Sequence, residues 1–252
     1  MLKISEKKYL QDQYDECYTW FDRMSFPDNF FKEKRVLDFG CGNGALGFFL
    51  LNHGISSYIG VDISLELIDQ ARQAKEENFF SISGDIEFCC KSIDDFKSDE
   101  FDVIVCKDSF EHIINLNSFA VGFQRILKPN GVIATGFSPL YFSPWGDHGR
   151  IQLRLPWIHA FLPLSLIKKK LRFFNGINID SVEDLGMNML TPSQFRYIFS
   201  KDMCWSFVQY HQNRKEGVLI KVFDFLSSVA FLEKYFVVNI YAIIKNEKNS
   251  IS

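Results

Sequence analysis

Val36-Leu37-Asp38-Phe39-Gly40-Cys41-Gly42-Asn43-Gly44 runs from an apolar strand pattern straight into three alternating glycines. Arg35 to Phe39 reads as a strand and Ala45 to Leu51 as a helix, so the glycines form the turn between them. Such a turn needs glycine because the backbone bends tightly and a ligand must approach closer than a Cβ would permit. Working outward, Ser57 to Val61 reads as a strand and Leu65 to Lys75 as a helix. Ile86 to Cys90, Phe101 to Cys106 and Val132 to Phe137 are further strands, with a helix over Leu116 to Leu127. Cys204 to His211 and Tyr235 to Lys245 read as the last two, with Val218 to Phe231 helical between them. Strands that are apolar throughout and separated by helices imply a parallel sheet covered on both faces. The expected fold is α/β: a doubly wound, seven-stranded, mostly parallel Rossmann-like sheet.

Twenty residues after Gly42, Asp62 ends the second strand, where a carboxylate accepts hydrogen bonds from both hydroxyls of a ribose. Gly40, Gly42 and Ala45 also satisfy the G-x-G-x-x-G/A pattern of a dinucleotide site, so the glycines alone leave two ligand classes open. Asp38 separates them. A carboxylate immediately before the glycines repels a pyrophosphate and suits an ammonium such as the end of a methionine moiety.

The glycine loop, Asp62, Phe101-Asp102-Val103-Ile104-Val105, Phe110-Glu111-His112 and Leu127-Lys128-Pro129-Asn130-Gly131-Val132 together resemble, in order and spacing, the class I S-adenosylmethionine-dependent methyltransferases. The resemblance runs from about Arg35 to Phe137. It implies that Gly40, Cys41 and Gly42 hold the methionine and ribose, Asp62 the ribose hydroxyls and Ile63 the adenine face. The backbone around Cys106 and Lys107 would bind the methionine end, and His112 would lie near the methyl donor. Where this family usually has an Asp for the adenine amino group, this chain has Ser92, followed by Ile93. A hydroxyl accepts that hydrogen bond more weakly because it carries no charge. The alternative, Gly84-Asp85-Ile86, spells the usual motif seven residues earlier.

The bulk properties narrow the partners. A length of 252 residues suits one α/β domain with an elaboration, and a net charge of −3 argues against a surface built wholly for nucleic acid or an anionic membrane. The Asn-Pro-Pro-Tyr type of motif used for flipped bases is absent, so no nucleic-acid acceptor is expected. The six cysteines form no C-x-x-C pair, which implies a reducing, cytoplasmic setting and no metal site. Val222 to Ile244 is interrupted by Asp224, Glu233 and Lys234, so no membrane span is expected.

Residues 1–30 are expected to form a helix covering the cofactor site: Leu10, Tyr14, Cys17, Phe21 and Met24 recur at helical spacing. Residues 31–252 are the catalytic domain, with residues 138–190 as an insertion over the acceptor site, rich in Pro, Trp, Phe and His. Histidine is the natural base near neutral pH. His148, beside Asp147 as a candidate orienting carboxylate, and His112 are the catalytic candidates; Tyr141, Trp145 and Arg150 are the candidates for acceptor binding. His159 reads equally well as a packing residue, and Tyr14 and Trp20 as aromatic shelter for the cofactor or as lid packing. Ile167, Leu171 and Phe174 share one helical face, while Lys168, Lys169, Lys170 and Arg172 occupy the other. With Arg150 and Arg154, that basic face suits a phosphate-bearing acceptor, and a cationic helix resting on a membrane is the competing version. The expected activity is methyl transfer from S-adenosylmethionine, giving S-adenosylhomocysteine, to an oxygen or nitrogen of a small molecule. The acceptor leans to a sugar or phosphorylated precursor of bacterial surface polysaccharide. An NAD-dependent oxidoreductase and a non-catalytic cofactor-binding protein are the alternatives.

Overall fold

The computed structural model describes residues 1–81, 84–152, 155–214 and 217–248. Helix α1 (Ile4–Met24) leads into β1 (Arg35–Phe39), α2 (Ala45–Leu51), β2 (Ser57–Val61), α3 (Leu65–Glu76) and β3 (Ile86–Cys89). There follow β4 (Phe101–Lys107), α4 (Leu116–Ile126), β5 (Leu127–Phe137), α5 (Ile158–Phe161) and α6 (Leu164–Asn175). The chain ends through α7 (Pro192–Ile198), β6 (Trp205–Gln212), α8 (Val218–Ser227), α9 (Glu233–Phe236) and β7 (Ile240–Asn246). The seven strands lie in the order β3-β2-β1-β4-β5-β7-β6. The first five pair in parallel, and β7 runs antiparallel to both β5 and β6.

Alternate residues of each strand face opposite sides, and this sheet buries both. Leu37, Ile104 and Ile133 point into a core closed by Phe123 of α4 and Phe195 of α7. Val36, Val103 and Ala134 point into a second core closed by Trp20 of α1, Phe49 of α2 and Ala71 of α3. Each such large apolar side chain contributes about 1.5–3 kcal/mol by leaving water. The α1 stripe is as expected at Leu10, Cys17 and Met24, which are buried, with Tyr14 and Phe21 partly so. Because the chain moves one way from β1 to β2 and β3 and the other way to β4 and β5, a crevice opens where β1 and β4 end.

Several expected boundaries move, among them the start of β5, which lies at Leu127 rather than Val132. Tyr235 to Lys245 is not one strand: its start is helical in α9, and β7 begins only at Ile240. Glu233 forms a two-pronged pair with Arg196 of α7 at 2.7 and 2.9 Å, and Tyr235 stacks on Phe161, so tertiary contacts hold this segment out of the sheet. Helix α8 stops at Ser227 rather than Phe231 because the hydroxyls of Ser227 and Ser228 bond back to the carbonyls of Asp224 and Phe225. Thr191 caps α7 with Pro192 in its first turn.

The segment between β5 and α7 builds two small cores of its own, one around Ile151, Ile167, Leu171 and Ile179, the other around Tyr141, Val182 and Met187. Phe174, expected on the packed face of α6 with Ile167 and Leu171, is instead 73% exposed. The basic face is also broken, because Lys170 turns inward and donates to the Ile151 carbonyl at 2.7 Å. Arg154 lies outside the described residues.

Candidate active site

The glycine turn is left-handed at all three positions, with φ of 84° at Gly40, 54° at Gly42 and 80° at Gly44. The three are not equivalent. A Cβ at Gly44 would strike the Phe88 ring, whereas one at Gly42 would meet nothing within 4 Å, and Gly42 lines a cavity of about 250 Å³. Tyr9, Gln13 and Cys17 of α1 form the opposite wall. Tyr14 and Trp20 do not line it: Tyr14 stacks on Phe80 and accepts from Asn52 Nδ2, and Trp20 lies in the core against Phe26.

Asp38 sits at the cavity floor, 1% exposed. Its Oδ2 accepts from the Tyr58 hydroxyl at 2.5 Å, while Oδ1 is buried without a hydrogen-bond partner among the described residues. Burial pushes its carboxyl up to about 7, against the pull of the Tyr58 hydrogen bond. A buried oxygen with nothing to accept from is suited to a cationic donor. Asp62 accepts from the Gly42 and Ser64 amides, both at 2.9 Å, which ties the glycine turn to the end of β2 and leaves each oxygen a second lone pair. Ile63 stands 98% exposed beside it. The Cys41 thiol is buried beside Gly60, and burial raises it well above its ordinary range. Lys107, at the end of β4, reaches Asp108 at 2.8 Å.

Asp85 precedes β3, and its carbonyl accepts from the Tyr58 amide at the end of the sheet opposite the glycine turn. Ser92 and Ile93 follow the other end of β3. The Ser92 hydroxyl there accepts from the Asp94 amide at 3.4 Å and starts a short turn whose first residue, Ile93, is buried.

The two candidate histidines, 36 residues apart, come together with ring centroids 5.2 Å apart. His112 Nδ1 lies 2.7 Å from the Gly186 carbonyl, which only accepts, so Nδ1 carries the proton and Nε2 the free lone pair. His148 Nε2 likewise donates to the Pro139 carbonyl at 2.9 Å, leaving Nδ1 free. Burial holds both rings below their ordinary value, and the Arg150 cation adds to the shift in each. Both are therefore neutral at pH 7.

Three expectations change here. Asp147 does not orient His148: it is buried, accepts from the Ile151 amide and faces His159 Nδ1 at 4.0 Å. Tyr141 is buried and donates its hydroxyl to the His159 carbonyl, and His159 Nε2 returns a bond to the Tyr141 carbonyl at 2.6 Å. These residues brace the insertion. Arg150 donates through Nη1 to the carbonyls of Leu185 and Gly186, so its first task is to tie the insertion together. Trp145, by contrast, is 49% exposed and held at a left-handed φ of 59°.

Glu111 reads in sequence as a solvated loop carboxylate and is the opposite: 3% exposed, with neither oxygen in good hydrogen-bond geometry. Burial, reinforced by the Asp108 charge, raises it well above the usual carboxylate range, and the amides of Glu111 and Ser138 oppose the shift without reversing it. Only the buried Phe110 before it signals that the loop turns inward. Gly186, whose carbonyl receives both His112 and Arg150, carries no sequence signal beyond being a glycine.

Residues 30–138, from before the glycine turn to the end of β5, match a family model described as a methyltransferase domain. A ubiquinone biosynthesis O-methyltransferase from Actinobacillus pleuropneumoniae is 34% identical over 107 residues, 40% of this chain and 44% of that relative. The match thus spans less than half of the relative's length. An S-adenosylmethionine-dependent methyltransferase from Mesorhizobium loti shares the fold over 90% of this chain and 96% of its own, with a TM-score of 0.59 and 15% identity. A SAM-dependent methyltransferase from Methanosarcina mazei does so over 85% and 93%, with a TM-score of 0.54 and 16% identity. The fold is that of the class I, Rossmann-like S-adenosylmethionine-dependent methyltransferases, and it is residues 30–138 that carry the likeness to a methyltransferase domain. The cavity suits S-adenosylmethionine at two points: the unpartnered Asp38 oxygen could accept from an ammonium, and the Cβ-free Gly42 leaves room for a close approach. Among the described residues no cluster of His, Cys, Asp and Glu is arranged to hold a metal.

Proposed function

We propose that this protein transfers the methyl group of S-adenosylmethionine to an oxygen or nitrogen of a small molecule, with His112 taking up the acceptor's proton. The carrying observation is a buried, ammonium-seeking carboxylate, Asp38, near the end of β1, with a neutral histidine pair of fixed tautomer on loops at the same end of the sheet. The cofactor, when bound, supplies a methyl carbon already activated by its sulfonium. Asp38 holds the ammonium, Asp62 the ribose hydroxyls, Ile63 one face of the adenine, and Ser92 with the Ile93 amide its edge. The backbone at Gly40, Cys41, Gly42 and Lys107 lines the methionine end. His112 accepts the proton at Nε2 as the new bond forms, and its Nδ1–H stays on the Gly186 carbonyl, which stabilises the resulting imidazolium. His148 and the exposed Trp145 flank the acceptor.

The curated relative's name refers to O-methylation in ubiquinone biosynthesis, which favours a hydroxyl as acceptor here. The lean to a sugar or phosphorylated polysaccharide precursor rests on the aromatic and basic composition of the insertion. Arg150 supports it weakly, since its Nη1 is committed to two carbonyls beside the histidine pair. An NAD-dependent oxidoreductase is disfavoured by β7, which runs antiparallel between β5 and β6 and so departs from the all-parallel dinucleotide order. The test is a screen of quinols, phenols, sugars, nucleotide sugars and amines for S-adenosylhomocysteine release, with calorimetry of S-adenosylmethionine against NAD. Tight binding of NAD, or of S-adenosylmethionine with no turnover of any acceptor, overturns the assignment.

A further inference from the structure

Five phenylalanines are exposed among the described residues, Phe161, Phe173, Phe174, Phe225 and Phe231, and all five lie in residues 155–177 and 218–231. Leu155, Leu166, Val218 and Leu219 are exposed in the same two stretches. Helix α8 carries the pattern furthest: of its ten residues seven are large and apolar, yet only Phe223 is buried. A surface helix of a protein that meets only water turns a polar face outward; α8 does not. The two stretches join. Trp157, just before α5, packs on Phe223 of α8 and Phe236 of α9, and Phe161 of α5 stacks on Tyr235 of α9.

Charge selects what covers this face. Residues 155–177 hold four cations, Lys168, Lys169, Lys170 and Arg172, and no acid, in a chain whose net charge is −3. Lys170 is turned inward and Lys168 pairs with the exposed Asp180 at 3.6 Å, but Lys168, Lys169 and Arg172 outnumber that acid around an open recess that also holds Phe173. A second copy placed across a two-fold axis would set these cations against themselves. A surface that is apolar and negatively charged meets both demands. We propose that the face formed by α5, α6 and α8 docks reversibly on an anionic phospholipid bilayer, with the phenylalanines entering the interface and the cations on the headgroups. Docking does not need the methyl-transfer reaction and is independent of the reading given above. No helix among the described residues is long and apolar enough to cross a membrane, so the face lies on the bilayer rather than through it.

Sedimentation of the full chain with phosphatidylcholine vesicles, with and without 30% phosphatidylglycerol, tests the proposal. Binding is expected only to the anionic vesicles and weakens as salt is raised. Phe173→Ser with Phe174→Ser, and separately Phe225→Ser with Phe231→Ser, should each lower the partition coefficient at least tenfold. Lys168→Gln with Lys169→Gln and Arg172→Gln should lower it about 100-fold, roughly fivefold per cation. All seven side chains are exposed or at the rim, so thermal unfolding and S-adenosylhomocysteine binding should stay at wild-type values and report intact folding. Absence of binding to anionic vesicles, or equal binding by wild type and all three variants, overturns the proposal. So does a concentration-dependent dimer in solution that the Phe225→Ser and Phe231→Ser variant abolishes, because a second copy would then be the occupant.

Discussion

Lowering the pH from 8 to 6 should weaken S-adenosylhomocysteine binding about tenfold, and Asp38 is the reason. In the ligand-free chain its carboxyl is pushed up to about 7 by burial, with one oxygen on Tyr58 and the other unpartnered. Only the ionised form attracts an ammonium, so the apparent dissociation constant is multiplied by one plus the ratio of protonated to ionised Asp38. That factor is roughly 1.1 at pH 8, 2 at pH 7 and 11 at pH 6. Asp38→Asn should lose about 10- to 150-fold in affinity at pH 8, the worth of a hydrogen bond to a charged group, and the pH dependence with it. The same shift has a stability consequence. A carboxyl near 3.9 in the unfolded chain and about 7 in the native one gives stability fully present below pH 3.9 and lost as pH rises through 7, on the order of 4 kcal/mol. A ligand ammonium offsets that loss. Calorimetry at pH 6, 7 and 8 in buffers of different ionisation heat reads both the affinity and the proton released, about half a proton at pH 7. An affinity flat across this range, or an equal slope in Asp38→Asn, refutes the reasoning.

His112→Asn should lower kcat about 10²- to 10⁴-fold while leaving S-adenosylhomocysteine affinity unchanged. Because burial and Arg150 hold His112 below its ordinary value, the acid limb of the wild-type kcat profile should fall below pH 6.5 and vanish in the variant. Gly42→Ala should abolish cofactor binding with only about 1 kcal/mol of destabilisation, the cost of a left-handed alanine. Gly44→Ala should mainly unfold the protein, because its Cβ meets the Phe88 ring; urea midpoints separate the two. Glu111→Gln should be tolerated at pH 7 and become more stable relative to wild type as pH rises. The buried acid contributes stability at low pH that is lost on ionisation, and an amide does not ionise.

The sheet was legible because its signals are local. The glycine turn and Asp62 at a strand end each state their geometry within a few residues, and the structure places them as expected. The errors fall where distant contacts decide. Tyr235 and Phe236 have strand-like character but are held in a helical turn by Arg196, Phe161 and Trp157, more than 30 residues away in sequence. Around the acceptor site, adjacency misled: Asp147 stands next to His148 in sequence and serves His159. Glu111 was indistinguishable from a solvated acid because its burial, and the Ser138 amide that faces it, come from packing distant in sequence.

The Gly186 carbonyl receives His112 from the loop after β4 and Arg150 from the insertion. Three stretches of chain that are far apart in sequence thus share a single acceptor. Were the contact at Gly186 broken, His112 would lose both the partner that fixes its proton on Nδ1 and a nearby cation that adds to the effect of burial. The tautomer of His112 is thus dictated from the insertion rather than from its own loop, which makes the ring and the roof above it a single unit.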